Sequence, residues 1–151
     1  MNWTPQTLAA VLAAQSERRP AADALVTPTA SVTWRDLHAQ VRRVAKALLA
    51  RGVGRGDFVG LLCGNDEHWL ASFYGAASIG AVTVPVNTRF KAAEIGFCLR
   101  QSDVRLMILA DRFLKIDFVG LLREAEPAVD GQLPGAALPL LRDVVVVGED
   151  V

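Results

Sequence analysis

The run Phe58-Val59-Gly60-Leu61-Leu62-Cys63 has no polar residue and no alternation. A strand with one solvated face alternates; one buried on both faces does not, and such strands belong to parallel sheets covered by helices. Parallel neighbours need crossovers of a dozen residues or more, so helices must flank this run. Before it, Thr33 and Asp36 have capping-box spacing, with Asp in place of the usual Glu. Leu37, Val41, Val44, Ala45, Leu48 and Leu49 then share one helix face and Arg42, Arg43 and Lys46 the other. Gly52 supplies a left-handed stop.

After the run, Asn65 or Asp66 caps a helix that reaches Ile79 and ends at Gly80. Ala81 to Val86 reads as the next strand, with Pro85 near its end, then a helix from about Lys91 to Gln101. Arg105 to Ala110 is a third strand, Phe118 to Ala125 a helix ending at Pro127, and Val129 to Pro139 a Gly/Pro/Ala loop. Asp143 to Val147 is a last apolar strand. Ahead of all this lie a helix over about Pro5 to Arg19, stopped by Pro20, and a hairpin of Ala24–Val26 and Ser31–Thr33 that turns at residues 27–30. The alternation predicts an α/β fold: a three-layer, parallel-type sheet with flanking helices and right-handed crossovers. Small residues Ala76, Ala77 and Gly80 are expected to bring their helix close to the sheet. A buried strand normally feeds another crossover, so the fold is expected to be incomplete.

With 151 residues, 52% of them hydrophobic, one domain-sized core is available. The formal net charge is zero, so the chain lacks the footprint of a nucleic-acid or anionic-membrane binder. Leu8 to Ala14 is apolar but has no basic segment before it and runs into Gln15, Glu17, Arg18 and Arg19. It reads as an amphipathic helix rather than a signal peptide. No run approaches a membrane span, and a cytoplasmic location is expected. Cys63 and Cys98 form no CxxC pair and the histidines are His38 and His68 only, so neither a zinc site nor a disulfide framework is encoded. Both cysteines read as core thiols.

Gly52-Val53-Gly54-Arg55-Gly56 has the look of a dinucleotide loop, but it follows a helix and precedes a strand, the reverse of what phosphate binding at a helix N-terminus needs. It reads as a helix stop and tight turn. None of Lys46, Lys91 and Lys115 follows a glycine, so there is no GxxxxGK loop, and no G-x-S-x-G elbow occurs. His68 reads as a surface or cap residue, and the adjacent Asp66 and Glu67 as favourable charges at a helix N-terminus rather than a catalytic pair. The segment Val84 to Phe90 leaves the carboxyl end of a strand, where open α/β sheets bind ligands. Arg89 suits a phosphate, although on chemistry alone the plain reading is a turn capped by Asn87 with Arg89 solvated.

In order along the chain, four stretches resemble the amino-terminal subdomain of acyl-CoA synthetases, within the adenylate-forming, AMP-binding superfamily. They are Thr33-Trp34-Arg35-Asp36-Leu37; Gly52 to Val59; Gly75 to Asn87 (GAASIGAVTVPVN); and the VVVVG strand Val144 to Gly148. The resemblance implies that residues 1–151 are the N-terminal part of the large domain of an enzyme converting a carboxylic acid, ATP and CoA to acyl-CoA, AMP and pyrophosphate through an acyl-adenylate. It implies ATP, Mg²⁺ and CoA as partners of the full-length enzyme, with the phosphate loop expected soon after the last strand and the catalytic Lys later still. No residue here matches a catalytic or metal-ligating position of the family, so the chain alone is expected to be inactive and prone to self-association. The resemblance places Arg89 where some related ligases hold a basic residue near the nucleotide phosphate of CoA. Two alternatives stand: an adenylation domain that charges a carrier protein, and a non-catalytic, flavodoxin-like interaction module.

Overall fold

The computed structural model describes residues 6–28 and 30–148. Helix α1 (Leu8–Arg18) is followed by strands β1 (Asp23–Val26) and β2 (Ser31–Thr33), helix α2 (Trp34–Ala50), strand β3 (Phe58–Leu62), helix α3 (Glu67–Ser78) and strand β4 (Val82–Pro85). Then come helix α4 (Ala92–Gln101), strand β5 (Val104–Ala110), the short strands β6 (Arg112–Phe113) and β7 (Ile116–Asp117), helix α5 (Phe118–Ala125), a 3-10 turn (Pro127–Asp130) and strand β8 (Asp143–Val147).

Among the described residues, β4, β3, β5 and β8 form a parallel sheet in that order. Its two faces carry separate cores. Val59, Leu61, Leu106 and Ile108 pack with Leu48 of α2 and Ala76 of α3; Leu62, Met107 and Leu109 pack with Ile95 and Leu99 of α4 and Phe118 and Leu122 of α5. These are the expected three layers. Gly60 belongs to this packing, since a Cβ there would lie 2.5 Å from the Met107 sulfur. A third cluster, Leu12, Val32, Leu37, Val41 and Ala71, joins α1 and the antiparallel β1–β2 hairpin to α2 and α3.

Local signals act where the sequence placed them. Thr33 caps α2, its Oγ1 accepting from Asp36 N at 3.2 Å. Asp66 caps α3, Oδ1 accepting from Trp69 N at 2.9 Å. Helix α2 ends in a Schellman motif: Val53 N donates to Leu48 O, Gly52 N donates to Leu49 O, and Gly52 has φ +75°. The loop Gly52 to Gly56 is therefore the tight turn it was expected to be.

Several expectations need correction. The first helix begins at Leu8, capped by Thr7; Pro5 lies outside the described residues. Leu49 is 55% exposed rather than core, because one step beyond Leu48 rotates it off the buried stripe. Gly80 does not bring α3 to the sheet. It is an exposed Schellman residue at φ +76°; Ala76, fully buried, packs on the sheet as expected, and a separate close approach, of α3 to α2, belongs to Gly75, where a Cβ would lie 2.7 Å from Val44 Cγ1. Cys98 is half-buried, on the outer flank of α4, rather than a core thiol. The β6–β7 hairpin and the 3-10 turn were not foreseen.

Candidate functional site

The chain path selects one edge of the sheet. From β3 it moves outward to β4, then returns across β3 to β5 and continues to β8. With right-handed crossovers, that reversal puts α3 on one face and α4 and α5 on the other, as their packing shows. It also places the topological switch point between the carboxyl ends of β3 and β5, where open α/β sheets hold ligands. Here the crevice is filled. A Cβ on Gly64 would lie 2.5 Å from the Phe113 ring, which stacks on Phe118 at 6.2 Å between centroids.

The open part of this edge is the turn after β4. Val86 is buried and its N donates to Leu61 O at 2.9 Å, fixing where the turn begins. Asn87 Oδ1 then accepts from Arg89 N at 2.9 Å, and Asn87 O accepts from Phe90 N at 3.0 Å. Phe90 folds back against the α4/α5 core, and Glu94 Oε2 accepts from Lys91 N at 2.9 Å as α4 begins. The result is a turn tied down on both sides of Arg89. The Arg89 side chain is exposed, with no hydrogen bond or ion pair among the described residues. A guanidinium on a backbone fixed this way, with no partner among the described residues, is available to a phosphate or carboxylate. Phe90 leads onward to an open groove of about 580 Å³ on the outer flank of α4, lined with Ala93, Phe97, Cys98 and Gln101. Phe97 is 64% exposed there, an aromatic facing away from the helix's buried stripe and so visible in the sequence.

The other candidates have structural duties. Burial, aided by the Asp66 charge, pushes the Cys63 thiol up to about 12, so it stays protonated and unreactive at neutral pH. Asp66 is occupied as the α3 cap. His68 is exposed, and His38 Nδ1 lies 3.0 Å from Ser16 Oγ in the α1–α2 contact. Asp111 and Arg112, beyond β5, form an exposed pair at 3.8 Å. Among the described residues no group of three or more His, Cys, Asp or Glu side chains comes together to hold a metal ion. No described helix is long and apolar enough to cross a membrane. Sequence reading missed Glu126, a buried acid whose partners lie in the loop that follows it; the glycine at 135 was its one local signal.

The family model for AMP-binding enzymes matches residues 12–144. A putative acyl-CoA synthetase, YngI of Bacillus subtilis, is 32% identical over 148 residues, covering 94% of this chain and 27% of that protein. The fatty acid–[acyl-carrier-protein] ligase ScoC of Streptomyces coeruleorubidus is 35% identical over 108 residues, covering 72% of this chain and 21% of that protein. Among solved structures, the anthranilate CoA ligase AuaEII in complex with anthranoyl-AMP superimposes with a TM-score of 0.81 at 29% identity, over 96% of this chain and 26% of that one. The chain thus spans roughly a quarter of the length of the curated relatives it matches. The family match over most of its length and the superposition of its fold agree: this chain belongs to the AMP-binding enzyme family.

Proposed function

We propose that the chain is the amino-terminal part of an ATP-dependent acyl-CoA ligase, which joins a carboxylic acid to CoA through an acyl-adenylate in the cytoplasm. The observation that carries the reading is the similarity of 94% of this chain to part of YngI of Bacillus subtilis, named a putative acyl-CoA synthetase. ATP, Mg²⁺ and CoA serve the full-length enzyme, and the described residues fit only one piece of that set. They offer Arg89 as an anion contact and gather no cluster of metal-ligating side chains. Arg89 is assigned to the nucleotide phosphate of CoA, with the Asn87 turn holding it outward. The chain by itself carries out no adenylation.

Acid-dependent ATP–pyrophosphate exchange tests this. The isolated chain stays at background, while the same residues grafted in place of the matching segment of the Bacillus subtilis relative support exchange. Exchange by the isolated chain, or a folded graft that never exchanges, contradicts the reading. In the graft, Arg89→Ala raises KM for CoA roughly tenfold or more, the loss of one charge-assisted contact. The adenylation rate and KM for pantetheine, which lacks the nucleotide, stay unchanged; an equal penalty with both acceptors removes the phosphate assignment. A second reading, transfer to a carrier protein, is favoured by the similarity to ScoC. Faster thioester formation on a carrier protein than on CoA selects it.

A further inference from the structure

Glu126 is 2% exposed, at the end of α5, and its carboxyl group is enclosed by the loop that follows. Oε1 accepts from Ala128 N at 3.1 Å and Oε2 accepts from Leu138 N at 2.7 Å. Gly135 lies against the same group, and a Cβ there would stand 2.1 Å from Oε1, so any larger residue would push the carboxyl group from its place. The loop is held at the same point from the other side, where Arg100 Nε of α4 donates to Ala137 O at 3.0 Å. Directly after this anchor, Leu138 and Leu141 plug into the α4/α5 core. Arg142 N then donates to Arg105 O at 2.7 Å, and the β8–β5 ladder starts at Asp143 with Leu106.

The order of these contacts along the chain is informative. A buried acid is costly unless its oxygens are satisfied, and these two are satisfied by amides of one connecting loop. Leu138, the farther donor, sits five residues before β8 begins, too few to absorb a slip once Leu141 is seated. A strand that is apolar on both faces has little in its own sequence to define register, and β8 from Val144 to Val147 is four identical valines, packed half-buried against both cores.

We propose that Glu126 is a positioning residue that sets the register and depth at which β8 enters the sheet, and so places whatever segment leaves the carboxyl end of β8 at the ligand edge. The relevance to a phosphate loop at that edge rests on the ligase reading above; the register claim does not.

Hydrogen exchange on the intact chain tests it without ATP, acid or CoA. In Glu126→Ala the ladder amides between β8 and β5 exchange roughly ten- to a hundredfold faster, the range expected for losing two buried hydrogen bonds. The amides between β3 and β4 keep their rates. Glu126→Gln, which retains one acceptor oxygen, falls between Glu126→Ala and the parent. Gly135→Ala, which displaces the carboxyl group without removing it, reproduces the pattern and decides the question if the Glu126 variants fail to fold. Two results overturn the proposal. Acceleration confined to residues 127–138 makes Glu126 a local loop staple. Equal acceleration across β3–β4 and β5–β8 makes it a contributor to global stability with no special hold on β8.

Discussion

Among single residues, Cys63 has the most distinctive expected titration. Its thiol is pushed up to about 12 by burial first and the Asp66 charge second, against an ordinary value near 8.5 to 9. Both states are protonated below that ordinary value, so nothing changes there. Above it the unfolded chain sheds the proton while the folded chain keeps it, so stability falls as pH rises from about 9 towards 12. The slope due to this one group is about 1.4 kcal/mol per pH unit at most. Denaturant melts at pH 8 and pH 10.5 should show a steeper loss for the parent than for Cys63→Ala, and equal losses contradict the assignment. In native buffer a thiol reagent labels the half-buried Cys98 first and reaches Cys63 only on unfolding. Legibility at this scale follows distance along the chain. Thr33, Asp66 and Gly52 act on amides or carbonyls within four residues, and sequence spacing exposed them. Glu126 reaches an amide twelve positions away inside a loop with no periodicity, and a lone glycine at 135 does not name its partner. The Asn87 cap of the turn that carries Arg89 was legible, because an Asn between a strand end and a helix start bonds an amide two residues on.

Among elements, α2 against α3 is the tightest joint. Gly75 faces Val44 so closely that an added methyl would lie 2.7 Å from Cγ1 and 2.9 Å from Cβ, with the backbone N of Ala45 at 3.3 Å. A β-branched side chain on a helix has essentially one rotamer and little room to yield. Gly75→Ala should therefore cost about 1–3 kcal/mol by overpacking, despite the better helix propensity of alanine. Val44→Ala in the same chain should recover most of that loss, so the two substitutions together cost less than their sum in a double-mutant cycle of urea melts. Strict additivity would place the clash elsewhere. The helices and long strands were readable because each repeats a period several times. β6 and β7 have two residues each, too short for any period to register. They form because Phe113 finds Phe118 and the space over Gly64, contacts that exist only once β3 and β5 are side by side. The same hairpin fills the switch point, so the open part of this edge lies beside it, at the turn after β4.

On the scale of the whole molecule, the unread quantity was strand order. Strands buried on both faces look alike in sequence, so parallel pairing was legible while the order β4, β3, β5, β8 was not. That order leaves two outer strands among the described residues, and they differ. β4 is short and ends in Pro85, which has no N–H to offer a new partner. β8 carries Asp143 at its start, paired with Arg51 at 2.7 Å, and then four valines, all half-buried, with no proline or charge among them. An apolar strand with a free ladder edge is a template for another strand. The chain should therefore self-associate through β8. Sedimentation velocity across a concentration series should show mass above the monomer that grows with concentration. Val147→Lys, a charge at the carboxyl end of that strand and away from the Glu126 anchor, should move the distribution towards monomer while the α-helical signal holds. A parent chain that stays monomeric throughout the series would mean that the edge is closed in solution. An assembly unmoved by Val147→Lys would shift attention to the exposed Phe97 on α4 as the contact.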